Sequence, residues 1–233
     1  MLCKPHYGSF IHTPYTARMQ RAIFFMVLGV ALLLGGGLWY LSQAPKAAPA
    51  DLDPAAGAHF VYGQADAPVT VVEFSNYLCP HCRDHSQKSL PRIFADYVDT
   101  GKVRYVFRDY PFPGQDNVVL ASEAADCAGE QGRYFEYHQL LFRATGQWGR
   151  ARLEDLPGYF TDYARQLSLD DGIFEICLSE HETRPLVLAD QELARKLEIG
   201  GTPSFYVNGK FIEGFQPYGE WKKILDEALA QAR

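Results

Sequence analysis

The longest run of apolar positions lies near the start of the chain, where residues 22–41 read AIFFMVLGVALLLGGGLWYL without a single charge. Twenty helical residues at about 1.5 Å each give roughly 30 Å, the thickness of a bilayer's hydrocarbon core. Beyond it the pattern changes to short periodic segments. Residues 68–75 contain VTVVEF, nearly continuous in apolar and β-branched character, and predict a buried strand. Residues 86–97 predict a helix with a kink at Pro91, and 103–107 (VRYVF) a second strand. From Pro111 to about Leu197 apolar residues recur every three or four positions: Leu120, Ala124, Cys127, Gln131 and Tyr134 on one face, Leu156, Phe160, Tyr163 and Leu167 on another. Pro157 and Pro185 stand where helices can start. Two short strands follow, 204–207 and 210–212, joined by Asn208-Gly209, a strong hairpin signal, and a last helix carries Tyr218, Trp221, Leu225 and Leu229. Strand, helix, strand, helical insert, hairpin and helix predict an α/β fold with a mixed sheet flanked by helices.

Charge refines the reading of the N-terminal segment. The first fifty residues hold no Asp or Glu, while Lys4, Arg18 and Arg21 precede the apolar run. This asymmetry predicts a cytoplasmic N-terminus (1–21), one transmembrane helix (22–41) and an exported remainder. A cleavable signal peptide is the rival, since small residues at 42–44 and 48–50 offer cleavage sites, and Met19 is an alternative start. Residues 42–58, rich in Ala and Pro, are expected to form a spacer of up to about 50 Å before a single domain at 59–233, with the helical insertion at about 113–197. The net charge of −6 offers no basic field for a nucleic-acid backbone, so nucleic acid is excluded as a partner.

Of five cysteines, Cys3 falls on the cytoplasmic side, leaving Cys79, Cys82, Cys127 and Cys177 in the exported part. Cys79-Pro80-His81-Cys82 follows a strand directly and opens a helix. Unpaired backbone N–H groups and the positive end of the helix dipole stabilise an anion there, so Cys79 is expected to be the reactive thiolate. Cys82, a turn deeper, is the expected resolving thiol. His81 is expected to add a polar donor beside the sulfur, and Pro80 to fix the turn. A zinc site on Cys79, Cys82 and His85 lacks a regularly spaced fourth ligand, and c-type haem attachment needs a His where Arg83 stands. Neither metal nor cofactor is expected. Glu73, a carboxylate in an apolar strand six residues before Cys79, is expected to have a raised pKa and to exchange protons near Cys82, unless its face of the strand is solvated. Cys127 and Cys177 lie on apolar helical faces, where a structural disulfide and two separate buried thiols look alike, and His138 reads as a packed helical histidine.

VTVVEF, Cys-Pro-His-Cys at 79–82, CAGEQGRYFEYHQLLF at 127–142 and GTPSFYVNGKFIEG at 201–214 together resemble the bacterial DsbA-like thiol-disulfide oxidoreductases, over nearly everything from Tyr62 onward. The resemblance implies a thioredoxin-like sheet and places Thr202-Pro203 at the cis-proline loop packed against the active-site disulfide. Glu73 matches the family's acidic position. Pro-His between the cysteines is typical of the family's oxidants, which implies an oxidase acting on exported cysteine-containing proteins and reset by a membrane quinone-linked partner, DsbB-like or VKOR-like. The catalytic domain would then lie on the periplasmic or extracytoplasmic side of the bacterial cytoplasmic membrane. The rivals are a reductase or isomerase on the same fold and a non-catalytic binding or chaperone module.

Overall fold

The computed structural model describes residues 23–28 and 52–232. Residues 23–28 are helical and exposed; the rest of the predicted span at 22–41 lies outside the described residues. Among the described residues no helix is long and apolar enough to cross a membrane.

Within residues 52–232, strands β1 (Val61–Tyr62), β2 (Val69–Ser75), β3 (Val103–Asp109), β4 (Ser204–Val207) and β5 (Lys210–Glu213) form one sheet in the order β1-β3-β2-β4-β5. β2 and β3 run parallel and the other neighbours antiparallel, so the sheet is mixed. The central strand β2 is buried on both faces. Its alternation sends Val69 and Val71 into the larger core and Val72 and Phe74 into the smaller one. Glu73 belongs to the first set and therefore points into the larger core, as do Tyr105 and Phe107 of β3.

A helical run, α1 (80–98), follows β2 and alternates α (Pro80–Asp84, Leu90–Ile93) with π (His85–Ser89, Phe94–Val98) segments. The helix read from 86–97 thus starts at Pro80. The turn just before Pro91 is a wide one, in which the Leu90 N–H donates to the His85 carbonyl five residues back. Pro91 has no N–H for the carbonyl of Gln87, and the wider turn accommodates that gap.

The insert comprises α2 (Asp116–Glu130), α3 (Tyr134–Arg143), α4 (Thr145–Trp148), α5 (Leu156–Gln166), α6 (Asp171–Ser179) and α7 (Arg184–Lys196). The face read continuously from Leu120 to Tyr134 is split between two helices, because Gly132 at φ +76° ends the first. Pro157 and Pro185 occupy first-turn positions of α5 and α7. Asn208 and Gly209, both at positive φ, close the β4–β5 hairpin, and α8 (Tyr218–Gln231) buries Trp221 and Leu225 against the larger core.

The spacer reading of 42–58 is corrected at its C-terminal end. Leu52, Ala55 and Ala58 pack on the smaller core, and the buried Arg108 guanidinium donates to the carbonyls of Pro54 (3.1 Å), Ala56 and Gly57 while pairing with Asp190 at 2.6 Å. A buried guanidinium must have its donors satisfied, and this segment supplies the acceptors.

Candidate active site

The site is assembled at the C-terminal end of β2. Asn76 holds the turn that leaves the strand: its side chain donates to the carbonyl of Tyr110 (2.9 Å) and to Gln115 Oε1 (2.8 Å), and accepts from the Leu78 N–H (2.9 Å). Its carbonyl accepts from the Cys79 N–H at 2.9 Å. Cys79 is then the N-cap of α1 in extended conformation, Pro80 occupies the first turn, where no N–H is needed, and the Arg83 N–H returns to the Cys79 carbonyl at 3.1 Å.

Both active-site thiols are free. Cys79 is partly exposed and its thiol donates to the Thr202 carbonyl at 3.2 Å, across a chain separation of 123 residues. The Thr202-Pro203 peptide bond is cis, and the Pro203 carbonyl accepts from the Gly214 N–H at 2.8 Å, tying the loop to the end of β5. A hydrogen bond from Cys82, outweighing burial, together with the backbone N–H groups of Cys82 and His81, pulls the Cys79 thiol down to about 5. Cys82 is 0 % exposed, and burial, with the negative charge of Cys79 beside it, pushes its thiol well above the ordinary value. What reaches the Cys79 sulfur from His81 is its backbone N–H; the imidazole expected there is exposed.

Glu73 sits behind Cys82, 0 % exposed, between Phe107 of β3 and Phe205 of β4. Burial pushes its carboxyl up to about 7, against the hydrogen bond that Tyr105 Oη donates to Oε2 at 2.7 Å. His85, which sequence allowed as a third zinc ligand, is buried with Nε2 3.0 Å from Tyr105 Oη, and among the described residues no cluster suits a metal ion. His138 is also buried, with Nδ1 3.0 Å from Tyr77 Oη. Cys127 of α2 and Cys177 of α6 are joined as a buried disulfide (S–S 2.00 Å) inside the insert. Sequence reasoning missed Tyr105 as a member of the site. The available signal was a phenol in an apolar strand that, paired in parallel with β2, falls on the same face as Glu73.

This arrangement can exchange disulfides: an accessible stabilised thiolate, a buried partner thiol, and a carboxyl able to hold a proton near neutrality. The thioredoxin family model matches residues 55–227. Disulfide bond formation protein D of Bacillus subtilis is 30% identical over 171 residues, covering 72% of this chain and 76% of that one. A probable disulfide bond formation protein D of Bacillus anthracis is 32% identical over 179 residues with the same coverage, 72% and 76%. Among solved structures, oxidised BdbD from Bacillus subtilis superposes with a TM-score of 0.64 at 28% identity, over 80% of this chain and 97% of that one. Wolbachia pipientis alpha-DsbA1, at 24% identity, shares the fold with a TM-score of 0.67 over 74% and 91%. The chain belongs to the DsbA-like family of thioredoxin-fold enzymes and is a protein thiol-disulfide oxidoreductase.

Proposed function

We propose that the protein is an oxidase that donates a Cys79–Cys82 disulfide to exported, cysteine-containing client chains. The observation that carries this reading is the opposite treatment of two adjacent thiols: Cys79 accessible and pulled down to about 5, Cys82 buried and pushed up. A client thiolate attacks the Cys79 sulfur, the Cys79–Cys82 bond breaks, and its electron pair goes to Cys82. Glu73 gives its proton to that sulfur, which is too poorly solvated to remain an anion. A second client thiolate then attacks the client sulfur of the mixed disulfide and expels Cys79 as a stable thiolate. The client leaves oxidised and the enzyme holds two thiols, balanced by a later two-electron reoxidation. The half-buried backbone at Gly201 and Thr202, beside the Thr202-Pro203 bond, is where the client chain would lie.

The same proposal includes the setting. Residues 22–41 anchor the enzyme in the bacterial cytoplasmic membrane with the domain outside it, supported by the charge-free run and the basic residues before it. A membrane quinone-linked partner, DsbB-like or VKOR-like, would reoxidise the pair.

Trapping tests the roles. Cys82→Ser is expected to accumulate client-linked mixed disulfides through Cys79, while Cys79→Ser accumulates none. Equal trapping by both variants would contradict the assignment.

A further inference from the structure

The polar chain behind Cys82 does not end at Glu73. Tyr105 Oη donates its one proton to Glu73 Oε2 at 2.7 Å, so toward His85 Nε2, 3.0 Å away, it can only accept. Nε2 therefore carries the imidazole proton, and Nδ1 is a bare lone pair with no hydrogen-bond partner. The same Nε2 lies 3.7 Å from Glu73 Oε2. All three side chains are 0 % exposed. The His85 ring is held between Phe205, at 4.7 Å between centroids, and Trp221, at 5.5 Å. Its place three residues after Cys82, at the start of the π segment, puts it on the element that carries the reacting sulfur.

A phenylalanine would fill this aromatic slot without burying two ring nitrogens, so packing alone does not account for a histidine here. What the imidazole adds is a donor to the Tyr105 oxygen, and a hydroxyl that accepts a hydrogen bond becomes a stronger donor. The other groups acting on Glu73 and His85 are Ser75 on β2, Cys82 on α1, Tyr77 in the loop between them, Asp109 on β3 and His138 on α3.

We propose that His85 is a positioning residue for proton exchange at Cys82. By donating Nε2–H to Tyr105 it strengthens the Tyr105 bond to the Glu73 carboxylate, and so sets the pH at which Glu73 gives up and recovers the Cys82 proton. The inference rests on the oxidase reading for its catalytic consequence, but the His85–Tyr105–Glu73 linkage can be measured without turnover. When the Cys79–Cys82 bond breaks, Glu73 passes its proton to Cys82 and becomes the anion that Tyr105 and His85 hold. When Cys82 is oxidised again, its proton returns to Glu73.

The test uses the reduced full chain and follows the Glu73 carboxyl by carbon-13 NMR against pH. In parallel, the rate of disulfide transfer to a reduced two-cysteine peptide is measured and divided by the peptide's thiolate fraction. His85→Phe keeps the ring and removes the donor. Both the Glu73 titration and the fall of the corrected rate at high pH should move up by about half a pH unit, a threefold change in the carboxyl's proton affinity. His85→Gln, which retains an N–H donor, should move less than half as far. In a Tyr105→Phe background, where the link is already cut, His85→Phe should add nothing. An unmoved Glu73 titration in His85→Phe, or an equal shift with and without Tyr105, would overturn the proposal. If wild-type enzyme transferred no disulfide to the peptide while the titration still shifted, the oxidase reading would fail and the linkage would stand.

Discussion

Cys79 and Cys82 carry the same thiol one helical turn apart, and what separates them is surroundings. One sulfur faces donors at a helix start; the other is pressed into the core beside a carboxyl. Glu73 is in the reverse position from an ordinary carboxylate. Its folded pKa of about 7 lies above the usual 4.5, so the folded state binds its proton more tightly than the unfolded chain does. It contributes stability that is fully present below about 4.5 and lost as pH rises to 7. Asp109, pushed up by burial to about 7, acts in the same direction, while His85 and His138, pushed down by burial to about 3, lose stability as pH falls below 6.5. A pH profile of the wild type alone therefore mixes opposing terms, and a difference isolates Glu73. Glu73→Gln is expected to gain stability relative to wild type by up to about 3 kcal/mol between pH 4.5 and 7, read by chemical denaturation. A difference that stays flat across that range would show that Glu73 titrates normally. At this scale the sequence displayed the cysteine pair and Glu73, because a helix-start thiol and a carboxylate in an apolar strand are local features. Tyr105 and His85 were not legible as partners of Glu73, since the contact depends on the β2–β3 register and on the pitch of the helix.

The elements divide the work between a sheet that fixes the site and a helical insert held by its own covalent link. The Cys127–Cys177 bond joins α2 to α6 across 50 residues and is buried. Closing a loop of that length is worth about 4 kcal/mol in the chain-entropy model. The double substitution Cys127→Ala, Cys177→Ala should lower the unfolding free energy by up to about that amount, with Cys79 alkylation unchanged; a loss below about 1 kcal/mol would show that the insert is held by packing instead. Periodicity displayed the helices of the insert but ran two of them together, because a glycine at positive φ interrupts the chain without interrupting the apolar spacing. β1, two residues long, is too short to show any period. The folding of 52–58 onto Arg108 was hidden for another reason: Ala and Pro carry no sign of the backbone carbonyls that a distant buried guanidinium will need.

Across the whole molecule the two cysteine pairs serve different ends, one sealed inside the insert, the other open to exchange at the end of β2. The reduced enzyme holds a thiolate that the oxidised enzyme cannot hold, so every interaction that pulls Cys79 down stabilises the reduced state and makes the disulfide a stronger oxidant. A thiol at about 5 is two units below neutral pH, which corresponds to a shift of up to about 60 mV toward oxidation at pH 7, reduced by solvent screening because Cys79 is part exposed. The reducing members of the thioredoxin fold lie near −270 mV, and strong oxidants near −120 mV, as about-figures for the fold's two extremes. The direct measurement is the equilibrium reduction potential of the Cys79–Cys82 pair in a glutathione buffer at pH 7. The account predicts a value more oxidising than about −200 mV, with the reduced protein the more stable form; a value near about −270 mV, with the disulfide form more stable, would contradict it.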